Sequence, residues 1–240
     1  MNDKRPLCIV GEGISEKCRR GLREWGFQVF CMPPYDRLGI GVKTHADLML
    51  IPLEDRFFIY GELAAQHPEL IAEIEARGVT VVALEGHPAE RYPEDIALNC
   101  LVVGNYIFCR KDFVSRQVLE YAECCGYSVV NTRQGYARCT ACPVSERGII
   151  TADPSIRSAA SMVGIDVLEV SVGGVLLQGY DYGFIGGACG VFKDKIYFAG
   201  DVLAHPDGER IVDFCRELGV EAMSLSDEPL ADAGSLFFVE

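Results

Sequence analysis

Gly234-Ser235-Leu236-Phe237-Phe238-Val239, at the C-terminal end of the chain, reads as an apolar strand with nothing after it to pair with. Arg5-Pro6-Leu7-Cys8-Ile9-Val10, at the other end, reads as a strand that leads into a helix carrying Cys18, Leu22 and Trp25, then Gly26 and the strand Phe27-Gln28-Val29-Phe30. Each is half of a unit that recurs complete four times between them: apolar strand, polar turn, apolar strand, amphipathic helix, glycine, Val-rich strand. The first complete copy takes residues 46–51 as strand, turns at Leu53-Glu54-Asp55-Arg56, returns through 57–60, and places a helix over 68–77 before Gly78 and the strand 79–84. The second spans 98–130, with its hairpin at Gly104-Asn105. The third spans 137–170 and enters its helix at Asp153-Pro154, an acidic cap followed by a first-turn proline. The fourth spans 183–225 and turns at Lys193-Asp194-Lys195. The helix-stop glycines, Gly26, Gly78, Gly126, Gly164 and Gly219, lie 38 to 55 residues apart. That spacing is too unequal for a fixed-repeat solenoid and fits modules with loop insertions. Joining the termini completes a fifth unit. The expectation is one α/β domain, residues 1–240, in which five β-β-α-β modules form a ring, residues 235–239 pair with 6–10, and no sheet edge stays open.

Composition narrows the partners. Lys and Arg total 22 against 35 Asp and Glu, a formal net charge of -13. Such an acidic balance argues against nucleic acid, whose affinity is carried by clustered basic side chains. No run approaches the roughly 18 apolar residues of a membrane span, and the N-terminal stretch is not a signal-peptide core. The eleven cysteines are odd in number and scattered among aliphatic residues, which predicts reduced, buried thiols and a cytoplasmic protein. Gly11-Glu12-Gly13 hints at a dinucleotide loop, but Glu16 stands where the third glycine belongs and no acid ends the next strand at Phe30.

A ring of five β-β-α-β modules closed by the chain ends resembles the pentein fold, an α/β propeller shared by guanidino-group-modifying enzymes such as arginine deiminase, dimethylargininase and agmatine deiminase. Three segments are similar to a bacterial family grouped with that superfamily and carrying no assigned activity. They are Gln134-Gly135-Tyr136-Ala137-Arg138-Cys139-Thr140-Ala141-Cys142, the stretch from Gly179-Tyr180-Asp181-Tyr182 to Gly187, and Asp232-Ala233-Gly234-Ser235. The resemblance implies a cysteine thiolate that adds to the guanidinium carbon, a histidine that moves protons, and carboxylates that grip the cation. It places the cysteine on the last module's first strand, where this chain has Ser235-Leu236-Phe237-Phe238. It places the histidine in the fourth module's first strand, where this chain has Gly183-Phe184-Ile185-Gly186-Gly187. The usual catalytic pair is thus missing from both places.

The ring would instead gather polar residues at the starts of its first strands into one mouth: His45 and Asp47, Asn99, Tyr136, Arg138 and Cys139, Tyr180 and Asp181, Asp232 and Ser235. Cys139 and Cys142 read either as two buried structural thiols or with Cys139 as a site thiol, its pKa lowered by adjacent Arg138. A zinc site is disfavoured because no second Cys-x-x-Cys exists, so no metal and no cofactor is expected. His205, before Pro206-Asp207, reads as a helix-entry residue or as a proton shuttle. Tyr180-Asp181-Tyr182 reads as a cation-holding pair of rings with an acid, or as a turn. Two functions follow. One is an enzyme acting on a small guanidino or amino-acid-like compound, with Cys139 as nucleophile and His45 or His205 as shuttle. The other is a ring that binds a small ligand, or is purely structural, without catalysis. Asp47, Arg138, Cys139, Asp181 and Asp232 together would suit a small cation or zwitterion, with Arg138 holding a ligand carboxylate. The oligomeric state is not legible in the sequence.

Overall fold

The five helix-stop glycines all adopt left-handed backbone, with φ between 76° at Gly219 and 89° at Gly26 and Gly126. A side chain at such an angle is strained even where nothing lies within 4 Å to clash with it, so glycine ends each helix and turns the chain back into the sheet. Helix entry follows the sequence as well: the Asp153 carboxylate accepts hydrogen bonds from the backbone amides of Ser155 and Ile156 at 2.8 and 2.9 Å, with Pro154 at the first helical position.

The computed structural model describes residues 4–240, arranged as five three-stranded sheets. Each sheet sets two strands antiparallel, a hairpin in four of the modules, and pairs the second in parallel with a third, reached through the module's helix. In the first module Leu50–Leu53 pairs with Arg56–Tyr60, and Thr80–Leu84 follows the helix Pro68–Glu75. The second uses Leu101–Val103, Tyr106–Cys109 and Ser128–Asn131. The third uses Ala141–Ser145, Gly148–Thr151 and Asp166–Glu169, and the fourth Cys189–Phe192, Lys195–Phe198 and Glu221–Ser224. The fifth joins the ends of the chain: Leu236–Val239 runs antiparallel to Leu7–Gly11, which pairs in parallel with Gln28–Met32. The register sets Leu7 opposite Val239, Cys8 opposite Phe238, Ile9 opposite Phe237 and Val10 opposite Leu236. These five sheets form the propeller-like α/β fold expected from the sequence.

Two local expectations are corrected. Residues 46–49 and 137–140 read as the beginnings of strands, yet Ala46–Leu48 and Ala137–Thr140 are short helical turns, as is Gly186–Ala188 in the fourth module. Their polar side chains find partners in neighbouring modules, which an extended backbone would point to alternate faces. The second correction concerns edges. The end residues of Ser128–Asn131, Asp166–Glu169 and Glu221–Ser224 are exposed, so the ring closes at its axis and keeps an outer edge on each module. Those edges are short and carry charge (Asp166, Glu169, Glu221), which limits pairing with another chain.

Phe238 holds the closure on one face. It packs with Phe27, Phe192 and Tyr197, with ring centroids 4.9 to 5.5 Å apart, and so ties the fifth module to the fourth. Leu236 and Phe237 are buried beside it. Removing residues 235–240 is expected to abolish cooperative thermal unfolding of the ring, and Leu236→Ala to cost about 2–5 kcal/mol in denaturant melts. A truncated protein with an unchanged midpoint would refute the closing role of this strand.

Candidate functional site

Short connecting segments feed the five first strands to the axis, and their polar groups are joined in a closed circuit. Asn99 of the second module donates through Nδ2 to the Asp47 carbonyl of the first (3.1 Å) and accepts at Oδ1 from the Arg138 amide of the third (2.8 Å). The Arg138 guanidinium crosses to the fourth module, donating to the carbonyls of Gly186 (2.7 Å) and Cys189 (2.9 Å). The fourth module meets the fifth where the Gly187 carbonyl accepts from the amides of Ala233 and Ser235. The fifth returns to the first through the Ser235 hydroxyl, which donates to Asp47 Oδ2 at 2.6 Å, and through the Asp47 amide, which donates to the Gly234 carbonyl. Ser235 takes φ of 67° to do this, a strained angle for a residue with a side chain.

Inside the circuit lies a buried cluster. Asp47 Oδ2 also accepts from the Cys139 thiol at 3.2 Å, and Asn99 Nδ2 donates to the same sulfur at 3.1 Å. Asp47 Oδ1 is buried and has no hydrogen-bond partner. Asp232 lies beside it, accepting at Oδ2 from the Phe184 amide and at Oδ1 from the Gly234 amide, with His45 Nδ1 at 3.7 Å from Oδ1. Burial lifts the Asp232 carboxyl above the usual carboxylate range, with His45 pulling it down and Asp47 pushing it further up. Burial also drives the Cys139 thiol well above its ordinary value, and the charges of Asp47 and Asp232 add to that push.

His45 and Asp232 form the floor of a cavity of about 870 Å³ that opens to solvent. Lys43 and Thr44 line one side, Leu176 and Leu177 the other, and Tyr180 and Asp181 stand at the exposed rim. A Cβ on Gly41 would lie 2.2 Å from the Tyr180 ring, so the two rim loops touch because residue 41 is glycine.

The ring therefore brings together His45, Asp47, Asn99, Cys139, Asp232 and Ser235, with Tyr180 and Asp181 above them. Other expectations change. Arg138 does not face the mouth: its guanidinium binds two carbonyls across the ring and reaches a separate pocket on the axis beside Phe237. The main influences on the Cys139 thiol are burial, the charges of Asp47 and Asp232, and hydrogen bonds with Asp47 and Asn99. His205 lines a different cavity of about 260 Å³ between the third and fourth modules, its Nδ1 accepting from the Asp207 amide at 3.0 Å. Burial lowers its pKa, with Asp207 and a backbone hydrogen bond to Gly173 acting against that shift. The Tyr136 hydroxyl donates to Asp95 at 2.5 Å, and burial and that hydrogen bond raise its pKa, with smaller pushes from nearby Cys139 and Tyr180. Cys139 and Cys142 do not act as a pair, since Cys139 sits on a helical turn and Cys142 on the strand after it. Lys43 was missed by sequence reasoning, and the Gly39-Ile40-Gly41 run before it is the signal that a loop there must approach another closely.

A family model matches residues 9–237. The chain belongs to the Family of unknown function (DUF6873). No curated protein matches it by sequence. Among solved structures it is similar to SxtG, an amidinotransferase of the saxitoxin biosynthetic pathway from Microseira wollei, at 12% identity over 99% of this chain and 95% of that one, TM-score 0.56. It is similar to dimethylarginine dimethylaminohydrolase from Pseudomonas aeruginosa complexed with citrulline (11% identity, 93% and 92% covered, TM-score 0.53). It is also similar to the N-terminal domain of the cyanobacterial arginine dihydrolase ArgZ bound to product (13%, 97% and 95%, TM-score 0.54). These likenesses show the fold alone, the propeller-like α/β arrangement of the pentein fold expected from the sequence.

Two predictions test the site. A Cβ on Gly187 would lie 1.9 Å from Asp232 Oδ1. Gly187→Ala should therefore destabilise the protein by about 1–3 kcal/mol, and by less when Asp232→Ala is also present, a coupling read from a double-mutant cycle. Because the folded pKa of Asp232 is raised, its contribution to stability is complete below the unfolded carboxyl value of about 3.9 and is lost as pH rises through the folded value. The melting temperature of the wild type relative to Asp232→Asn should fall as pH rises from about 4 to 7. A constant difference across that range would contradict the burial effect.

Proposed function

We propose that the mouth above His45 and Asp232 binds a small guanidino or amino compound, its cationic end toward Asp232 and Asp47. The observation that carries this reading is charge. Two buried carboxylates, Asp47 and Asp232, meet no Lys or Arg within ion-pair distance among the described residues, while Arg138 is spent on carbonyls. A planar cation offers N–H donors to the Asp47 oxygen that lacks one. Lys43, at the side of the same cavity, is the group placed to take a ligand carboxylate, in the role the sequence suggested for Arg138. The fold's guanidino-modifying relatives support this substrate class.

In the catalytic form of this reading Cys139 is the nucleophile. A bound cation offsets the carboxylates that hold its proton, Asp47 accepts that proton at 3.2 Å, and sulfur bonds to the guanidinium carbon. The carbon–nitrogen bond then breaks and the amine leaves with a proton from His45, after which water hydrolyses the thioether-like adduct and frees the thiol. A second reading, binding without turnover, is favoured by one observation: the Cys139 side chain is buried beneath the floor and its thiol is held protonated.

Calorimetry against arginine, agmatine, methylated arginines and lysine tests the binding. Measurable heat is expected for at least one, with Asp232→Asn weakening it about tenfold or more. Release of ammonia or amine that disappears in Cys139→Ser supports the enzyme, and binding without release supports the second reading. Negligible heat across the panel would overturn both.

A further inference from the structure

Under the mouth, His45, Asp47 and Cys139 each present a donor atom, and the three atoms lie within 4.8 Å of one another, all from buried side chains. We propose that this trio is a site for a divalent transition ion of the zinc type, bound through imidazole nitrogen, carboxylate oxygen and thiolate sulfur. The inference goes beyond the guanidino reading: it gives Asp47, Cys139 and His45 an ion of another class, which would exclude a guanidinium from those three groups.

The donor set is the first argument. Nitrogen, oxygen and sulfur together suit borderline ions such as zinc and not calcium or magnesium, which prefer oxygen alone. Tetrahedral zinc bonds place neighbouring donors about 3.3–3.7 Å apart. Cys139 Sγ stands 3.2 Å from Asp47 Oδ2, and the donor atoms of all three residues lie within 4.8 Å, so binding draws them together by about an ångström and turns the free Oδ1 toward the ion. The unpartnered oxygen is the second argument. Asp47 is 1% exposed and its Oδ1 accepts nothing, an expensive state that a bound cation relieves.

The surroundings resemble the supporting shell of a metal centre. Asn99 Nδ2 donates to the sulfur, an arrangement that stabilises thiolate, and Ser235 Oγ fixes the carboxylate through Oδ2 while leaving Oδ1 available. Asp232 Oδ1 lies 3.7 Å from His45 Nδ1, just outside hydrogen-bond distance, and takes the supporting position of a carboxylate beside a metal-bound histidine once the imidazole turns toward it. Binding displaces the Cys139 proton to solvent, after which one carboxylate and one thiolate neutralise the ion's two charges. Three protein donors leave a fourth position, and His45 and Asp232 border the open cavity from which water or ligand would fill it.

The test uses the full chain, reduced and stripped with a chelator, then titrated with Co²⁺ as a spectroscopic probe and with Zn²⁺ in competition. The expected result is one ion per chain, a sulfur-to-cobalt charge-transfer band, and its displacement by Zn²⁺. Cys139→Ser should remove the band, and Asp47→Asn should weaken binding at least tenfold, with circular dichroism confirming that both are folded. Absence of the band in wild type, or its survival in Cys139→Ser, would overturn the proposal. X-ray absorption of the zinc-loaded wild type needs no variant: one sulfur among nitrogen and oxygen neighbours supports the site, and no sulfur, or two or more, overturns it. Guanidino binding measured with chelator present keeps the two readings separate, since either can fail alone.

Discussion

The hydrogen-bond circuit around the axis is the constraint on which the rest of the molecule depends. Five sheets of three short strands have too little pairing to orient one another, and among the described residues no strand ladder joins one module's sheet to the next. Beside apolar packing such as that of Phe238, polar links run through Asn99, Arg138, Gly187, Ser235 and Asp47, one junction after another, in surroundings where a polar group without a partner is costly. Each partner satisfies the next, so the circuit holds only when complete. This explains the strained φ of Ser235 and the approach of Gly234 to His45, where a Cβ would lie 2.2 Å from the His45 Cα.

The same requirement divides the candidate residues into two layers. Arg138, Asn99 and Ser235 are committed to joining modules, and the Arg138 charge is met by carbonyl dipoles rather than by an acid. His45 and Asp232 face the cavity. Asp47 and Cys139 lie between the layers, bound to the circuit on one side and carrying an unsatisfied oxygen on the other. The fold by itself sets the electrostatics of this region: the acids are buried, the nearest guanidinium is turned away, and burial with the charges of Asp47 and Asp232 raises the Cys139 thiol.

That division also shows why the usual reasoning about adjacent residues misleads here. Arg138 and Cys139 are neighbours in sequence, yet the helical turn Ala137–Thr140 sends one side chain across the ring and the other to Asp47, 92 positions earlier. A pKa argument from sequence adjacency assumed that the guanidinium would face the thiol. His205 stands in a separate cavity for a related reason: its Nδ1 accepts from the Asp207 amide at the entry to the helix Gly208–Glu217, the helix-entry reading of the sequence.

The sequence by itself determined the modules and their order. Alternation of apolar strands, proline and acid at helix starts, and glycine at helix ends are local constraints, and each acts within a few residues. The two unpaired half-units at the termini were enough to require Leu236–Val239 beside Leu7–Gly11. It also named nearly every polar residue at the axis, because a charged or amide side chain beside an apolar strand must be satisfied somewhere. Only the tertiary structure decided with what. The partners of Asp47 come from residues 99, 139 and 235, on three other modules, and their distances depend on how the modules pack around the axis. No spacing along the chain encodes that packing, so the direction of Arg138, the separate cavity of His205 and the meeting of His45, Asp47 and Cys139 emerge only when the ring is closed.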